Sequence, residues 1–296
     1  MKLNGFLGRL KTLLDLIRLR NAVIAFSGVY LGAVVFASGA PIPQWNVLAA
    51  AVSAALILGG GNALNDYFDY DIDKVNKPSR PLPSNRISKS DALMLAFAMF
   101  LIGLGVAKSI NTICFLIAFF NTSVLIVYAV YSKRLLLASN LIISYLVASV
   151  FIYGAASAQT PGVWVNPDGV KLAVILASCA FALTLSREVV KDIEDLEGDK
   201  KAYSTTLPIK YGVKKAKGAA FLAAATAVAL SLTPILSPTV GFNELLYGIV
   251  IVVTDFIILA SFRTEPNVNQ RILVFTMTLS ILAFLLGISI QFITHP

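Results

Sequence analysis

Asp66, Asp69 and Asp73 stand in NALNDYFDYDID, and Asp192, Asp195 and Asp199 stand in REVVKDIEDLEGD. Both triplets read D-x-x-D-x-x-x-D, and a shift of 126 residues superposes them. An oxygen-bearing side chain precedes each by four positions, Asn62 in the first and Glu188 in the second. Positions i, i+3, i+4 and i+7 share one helical face, so each triplet projects three carboxylates from one side of a helix. Like charges so placed repel by a few tenths of a kcal/mol per exposed pair, and by more beside a low-dielectric bilayer. A cation must offset them. Magnesium suits the set, because it takes carboxylate oxygens, keeps part of its water shell and completes it with substrate phosphates. A repeat in the same register argues for half of a divalent-metal site on each segment rather than for ordinary solvated charges.

Basic residues lie close to both triplets. Lys77 and Arg80 follow the first in NKPSRP, where Pro78 and Pro81 stiffen the loop. Lys133 and Arg134 close VYAVYSKRLL, and Arg187 and Lys191 flank the start of the second triplet. Singly, each reads as a positive anchor at a membrane surface. Together they would surround a metal–polyphosphate complex and pair with its remaining oxygens. Carboxylates for metal, cations for phosphate and an apolar interior beside them describe a site for an isoprenyl diphosphate. Metal ions and cations stabilise a departing diphosphate, a dry helical cavity shields an allylic carbocation from water, and a nucleophile on a second substrate captures it.

The elements that must position these residues are membrane helices. The 296-residue chain is 57% hydrophobic and only 14% charged, against about 25% charged in soluble domains. A span needs about 20 mainly apolar residues. Nine windows qualify, at roughly 22–40, 46–65, 91–108, 112–131, 137–158, 169–187, 216–235, 244–262 and 271–292. With the N-terminus cytoplasmic, all 24 Lys and Arg except Lys108 and Lys171 fall on the cytoplasmic side, the expected positive-inside bias. Both aspartate segments then open on that face. The net charge of +8 therefore faces anionic headgroups or a phosphorylated substrate and does not imply nucleic acid. Ahead of the first window, Phe6, Leu7, Leu10, Leu13, Leu14 and Ile17 recur at helical spacing among Arg9, Lys11, Arg18 and Arg20. Residues 1–21 thus read as an interfacial helix rather than a signal peptide.

Several residues carry a plainer reading. Cys114 and Cys179 lie in apolar segments as small hydrophobic filler, and the lone His295 stands far from either triplet. Gly28 and Gly32 form a G-x-x-x-G expected to serve helix packing. Gly59, Gly60 and Gly61 precede the first triplet, where they allow the close approach of a neighbour or a lipid tail. Asp255, an acid inside the eighth window, is expected either to pair with a lysine or to contact substrate.

NDYFDYDID with the following Arg80–Pro81, KDIEDLEGD with STTLPIKYG at 204–212, the Arg20–Asn21 pair, and YSKRL at 131–135 resemble the UbiA superfamily of intramembrane prenyltransferases. The resemblance covers essentially the whole chain. It implies an all-α polytopic membrane protein, a single domain over 1–296, with nine transmembrane helices around a central lipid-open cavity. It further implies that the two motifs face each other across the cytoplasmic mouth and hold two magnesium ions and the diphosphate. By that resemblance Asn65, Asp66, Asp69, Asp73, Asp192, Asp195 and Asp199 hold metal. Lys77, Arg80, Lys133, Arg187 and Lys191 would bind diphosphate, and Arg20, Asn21, Asn62, Tyr131 and Glu188 are possible substrate contacts. Within the superfamily, DYDIDKVNKPSRPLPSNRIS and REVVKDIEDLEGDKKAYSTTLP are most similar to enzymes that transfer a geranylgeranyl group from its diphosphate to the free hydroxyl of geranylgeranylglyceryl phosphate. That step forms the second ether bond of archaeal membrane lipids. The partners implied are an isoprenyl diphosphate, a lipid phosphate acceptor and the membrane lipid, with no protein partner. One departure is Asn85, which stands where related motifs carry Gly; Asn tolerates left-handed backbone.

Two alternatives remain open from the sequence. An aromatic quinone precursor could replace the lipid phosphate as acceptor. A cation-coupled transporter could line its path with aspartates, although such sites usually lie near the bilayer midplane and these carboxylates gather at one mouth. A soluble isoprenyl-diphosphate synthase is excluded by hydropathy.

Overall fold

The structure is a computed structural model that describes residues 2–38, 40–131, 137–159, 166–201 and 205–289. Among them the regular elements are all helices. In order these are α1 (Lys2–Ile17), α2 (Leu19–Ala37), α3 (Gln44–Phe68), α4 (Tyr70–Asn76), α5 (Lys89–Ile110), α6 (Thr112–Tyr131) and α7 (Ala138–Ala158). They continue with α8 (Pro167–Glu194), α9 (Leu196–Lys201), α10 (Leu207–Tyr211), α11 (Val213–Ser231), α12 (Thr233–Leu236), α13 (Glu244–Ser261) and α14 (Pro266–Ser289). Nine spans among the described residues are long and apolar enough to cross a membrane: α2, α3, α5, α6, α7, α8, α11 with α12, α13 and α14. They coincide with the nine hydropathy windows. The amphipathic start ends sooner than expected. Arg18 takes a left-handed φ of 54° and separates α1 from α2, so Arg20 and Asn21 belong to the first span.

The chain divides into two compact units, Met1–Tyr30 with Pro43–Ser132, and Leu31–Ile42 with Lys133–Pro296. In the first, α3 packs along α5 and α6, and α1 lies against α3. Small residues make this approach close. The Ser53 hydroxyl donates to the Gly103 carbonyl at 2.8 Å. A Cβ on Gly60 would sit 2.9 Å from the Ala96 carbonyl oxygen and 3.0 Å from the Phe100 ring. Gly60→Val is therefore expected to push α3 off α5 at a cost of about 1–3 kcal/mol, seen as a lower unfolding temperature in detergent. Unchanged stability would mean that this contact is not tight. Helices α5 and α6 form the hairpin expected from the short KSIN connection: Asn111 alone separates them, and its side chain accepts the Cys114 N–H at 2.7 Å.

In the second unit α7, α11 and α14 pack on α8, and α13 packs on α14. Ala216, Ala220, Ala224 and Ala227 recur at helical spacing along α11 and are buried in one cluster with Ala182, Leu183 and Val189 of α8. With lipid outside as apolar as leucine, such small residues let helices gain dispersion contact. The same logic holds for Gly32, whose added Cβ would meet the Phe151 carbonyl oxygen at 2.1 Å, as the packing reading of the G-x-x-x-G expects. A second cluster centres on Phe242, Tyr247 and Phe284, with ring centroids 5.0–6.3 Å apart. The Tyr247 hydroxyl is buried there and donates to the Ser231 carbonyl at 2.7 Å.

Candidate functional site

Asn65 and Asp66 lie in the last turn of α3, and Asp69 joins α3 to α4 with φ −86° and ψ 2°. The i→i+4 pattern runs through this junction. Asp69 N–H donates to the Asn65 carbonyl at 2.9 Å, Asp73 N–H to Asp69 at 2.8 Å, and Lys77 N–H to Asp73 at 2.8 Å. The three carboxylates therefore keep the common face that their spacing predicts.

Asp66 and Asp73 are almost wholly buried, at 2% and 3% exposure. Two buried carboxylates on one face need positive charge, and two arginines supply it. Arg80 Nη1 donates to Asp66 Oδ1 at 3.1 Å and also to Asp73 Oδ2. Arg18 Nη2 donates to the same Asp66 Oδ1 at 2.8 Å, while its Nη1 reaches Asn62 Oδ1 at 3.1 Å. Asn62 in turn donates to the Ile17 carbonyl at 3.0 Å, which fixes the end of α1 to the motif helix. Asn62 thus serves the scaffold in this arrangement. Asn65 Nδ2 donates to Asp69 Oδ2 at 3.1 Å.

The loop after α4 holds Arg80 in place. Its carbonyl accepts the Ser84 N–H at 3.0 Å, and the Arg86 N–H donates to the Pro81 carbonyl at 3.0 Å. The Arg86 guanidinium donates to Asp15 Oδ2 on α1 at 2.6 Å and to the Ser79 carbonyl at 2.9 Å. Asn85 adopts φ 56°, the left-handed conformation for which a glycine is the usual choice. Lys77 lies exposed beside this loop.

The second motif repeats the backbone of the first. Asp195 joins α8 to α9 with φ −83° and ψ 3°, against −86° and 2° at Asp69. The pattern again runs through, with Asp195 N–H on the Lys191 carbonyl at 2.9 Å and Asp199 N–H on Asp195 at 3.0 Å. The sequence repeat is thus a structural repeat, down to the bend at its middle aspartate.

Its counter-charges differ. Asp192 Oδ2 accepts one neutral bond, from Asn140 Nδ2 of α7 at 2.7 Å. Lys191 lies 3.6 Å from Asp195, with both side chains about half exposed, a pairing worth little. Arg187 is spent on its neighbour Glu188, and its Nε is buried without a hydrogen-bond partner. Partial burial, with the Asp195 charge second, raises the pKa of the Asp199 carboxyl above the ordinary aspartate value, although Lys191 opposes the shift. Among the described residues, arginines neutralise the first motif, and the second has less positive charge against its carboxylates.

Of the other expected site residues, Arg20 is exposed and Asn21 partly buried in the first turn of α2. Tyr131 is exposed at the end of α6. Lys133 lies outside the described residues. Arg18 and Asn140 were not singled out from sequence for the site, although their atoms touch its aspartates. Asp255 is buried at 6% exposure and accepts the Ser231 hydroxyl at 2.7 Å. Among the described residues its partner is a hydroxyl on α11, not a lysine.

Among the described residues no three His, Cys, Asp or Glu side chains converge into a ready-made metal cage. Magnesium seldom uses one. It binds through one or two carboxylates and takes its remaining oxygens from water and substrate phosphate. The donors here are hard oxygens on one helical face of each motif, and both guanidiniums on Asp66 use Oδ1 rather than Oδ2. The residues fit such an ion.

Residues 25–282 match the UbiA prenyltransferase family. The chain is 37% identical over 279 residues to a digeranylgeranylglyceryl phosphate synthase of Methanopyrus kandleri, covering 93% of this chain and 98% of that one. It is 35% identical to the protein of the same name from Methanosarcina mazei, covering 94% and 99%. A solved structure concerned with digeranylgeranylglyceryl phosphate synthase in membranes superposes with a TM-score of 0.82 at 33% identity, covering 94% of this chain and 98% of that one. The fold is shared with a UbiA homologue from Archaeoglobus fulgidus bound to GPP and Mg2+, at a TM-score of 0.66 and 19% identity, covering 94% and 99%. Nine helices among the described residues that are long and apolar enough to cross a membrane, a doubled aspartate motif and these likenesses agree: the chain belongs to the UbiA prenyltransferase family.

Proposed function

We propose that this protein transfers a geranylgeranyl group from geranylgeranyl diphosphate to the free hydroxyl of geranylgeranylglyceryl phosphate. The carrying observation is the aspartate frame, repeated in spacing and in backbone bend at Asp69 and Asp195. The relatives named for this synthesis, matched nearly end to end, support the acceptor.

In this reading residues 1–296 make up one transferase domain in the cell membrane, with the N-terminus and the site on the cytoplasmic face. Asn65, Asp66, Asp69 and Asp73 would hold one magnesium ion, and Asp192, Asp195 and Asp199 a second. Bound there, the ions supply electrostatic stabilisation of the diphosphate as its charge develops. Lys77, Arg80, Lys133 and Lys191 add charge-assisted hydrogen bonds to its remaining oxygens. The bond from prenyl C1 to the diphosphate oxygen breaks, the bond from C1 to the acceptor oxygen forms, and the hydroxyl proton leaves to a carboxylate or to the departing diphosphate. The apolar spans exclude water that would otherwise capture the allylic cation.

The test is a mass-spectrometric assay on detergent-purified protein with geranylgeranyl diphosphate and magnesium. Geranylgeranylglyceryl phosphate and a hydroxybenzoate are supplied in parallel. A doubly prenylated glycerol phosphate is expected, falling to background with EDTA and returning with excess magnesium. Prenylated aromatic alone would overturn the acceptor, and no product from intact protein would favour the transporter reading.

A further inference from the structure

Arg18 is the residue at which the chain turns from α1 into α2, and it does so at a φ of 54°. Arginine gains nothing from that conformation. A left-handed residue other than glycine is strained, and it persists where its surroundings over-determine it. Here they do so on both sides. Before the turn, Leu16 is wholly buried, and Asn62 of α3 donates to the Ile17 carbonyl at 3.0 Å. Beyond it, the Arg18 carbonyl accepts the Asn21 and Ala22 N–H groups at 2.7 and 3.3 Å. The turn delivers one side chain to the first motif. Arg18 Nη2 donates to Asp66 Oδ1 at 2.8 Å, and Nη1 donates to Asn62 Oδ1 at 3.1 Å. Asn62 thus holds the guanidinium with its carbonyl and, with its amide, the backbone that carries it.

Asp66 receives two guanidiniums, and they are not equivalent. Arg80 comes from the loop after α4 and meets the motif through one nitrogen, Nη1, shared between Asp66 and Asp73. In the transfer reading it also serves the diphosphate. A ligand that draws its guanidinium toward phosphate oxygens weakens its hold on a carboxylate, because both compete for the same N–H donors. Arg18 places separate nitrogens on Asp66 and Asn62, and the turn fixes where it starts. It can hold Asp66 Oδ1 while Arg80 is drawn away. A carboxylate held at one oxygen keeps the other, Oδ2, open to a metal ion. Outer partners of this kind orient metal-binding carboxylates, and losing them weakens the metal.

We infer that Arg18 is a positioning residue of the metal site: it keeps Asp66 in place by Oδ1 when the diphosphate engages Arg80. This rests on the transfer reading above, which gives metal to Asp66 and diphosphate to Arg80.

The experiment uses the full chain in nanodiscs, as wild type, Arg18→Gly and Arg18→Lys. Glycine accepts the left-handed turn without strain, so the backbone survives the loss of the guanidinium. Lysine keeps one cation and carries the same comparison if the glycine variant is not recovered folded. Manganese stands for magnesium, and its binding is read by electron paramagnetic resonance with and without inorganic pyrophosphate. With pyrophosphate, Arg18→Gly is expected to bind manganese about tenfold more weakly than wild type. Without it the two should agree within about threefold, because Arg80 still holds Asp66. Arg18→Lys should fall between them. Transfer by Arg18→Gly should drop about tenfold at low magnesium and recover at excess magnesium, with the donor KM within about twofold of wild type. Manganese binding that is unchanged or tighter in Arg18→Gly overturns the inference, since Arg18 would then only neutralise charge. Equal weakening with and without pyrophosphate overturns it as well, because Arg80 would then give Asp66 no support of its own. A loss of pyrophosphate affinity at saturating manganese would make Arg18 a ligand of the diphosphate instead. If the metal behaves as expected but wild type makes no product, the transfer reading fails and the positioning role stands.

Discussion

Replacing Asp192 by asparagine is expected to lower prenyl transfer by about 10³-fold while leaving the unfolding temperature within a degree or two. The two halves of that expectation have separate causes. The fold is spared because the interhelical contact at this position is a bond from Asn140 Nδ2 to Asp192 Oδ2 at 2.7 Å, and an amide carbonyl can accept it equally well. Activity is lost because an amide cannot supply the anionic oxygen, and a preorganised electrostatic contact is typically worth 10²–10³-fold on its own. A weakened metal site adds to this. The check is the initial rate across a magnesium titration, beside thermal unfolding of the same preparation. A variant that keeps more than a tenth of wild-type activity at the wild-type magnesium requirement would remove the second motif from the site.

Asp66→Asn should cost as much activity but is a poorer probe. Asp66 Oδ1 takes bonds from both Arg18 and Arg80, so neutralising it leaves two partly buried guanidiniums with less to bind. The double variant Asp66→Asn/Asp192→Asn is more informative. If both motifs act on one diphosphate, the double loss stays close to that of either single change, because residues that work as a unit are strongly non-additive. Multiplying losses would indicate independent roles.

Much of this was legible in the sequence because two periodicities were strong. Runs of about 20 apolar residues mark the spans whatever their packing, and nine long apolar helices among the described residues follow them. The carboxylate face follows from 3.6-residue geometry alone, and the bends at Asp69 and Asp195 do not break the i→i+4 pattern. Even the left-handed Asn85 was readable, since Asn occupies a glycine position there. What was not legible depends on where the chain breaks and what meets across helices. The amphipathic pattern carries on to residue 21, and the family resemblance points to Arg20 and Asn21 rather than to Arg18. The break actually falls at Arg18, whose φ of 54° has no signature in the residue type. That break turns Arg18 toward Asn62 and Asp66. Asn140 meets Asp192 from a different helix, 52 residues away, and no local pattern announces such a contact. Asp255 shows the same limit: an acid in a span demands a partner, but sequence does not say whether a lysine or the Ser231 hydroxyl will provide it.

Arg80→Met is expected to destabilise the protein by about 3 kcal/mol and to reduce transfer at least 100-fold. Its guanidinium bridges Asp66 and Asp73, whose side chains are only 2% and 5% exposed. Removing it leaves Asp73 buried with a charge that no other arginine meets among the described residues, while Asp66 retains Arg18. The destabilisation should therefore come mainly from Asp73. Adding Asp73→Asn to Arg80→Met removes the orphaned charge and should recover most of the lost stability. It should not recover transfer, because the second change deletes a motif carboxylate and the first a cation expected at the diphosphate. Arg80→Lys should rescue neither fully, since one ammonium lacks the planar fork that presents several N–H donors to two carboxylates at once. Unfolding in detergent and initial transfer rates on the four proteins decide the matter. Full stability in Arg80→Met would show that Asp73 is solvated or otherwise paired. Recovery of activity together with stability in the double variant would show that Arg80 is a structural counter-ion with no part in handling the diphosphate.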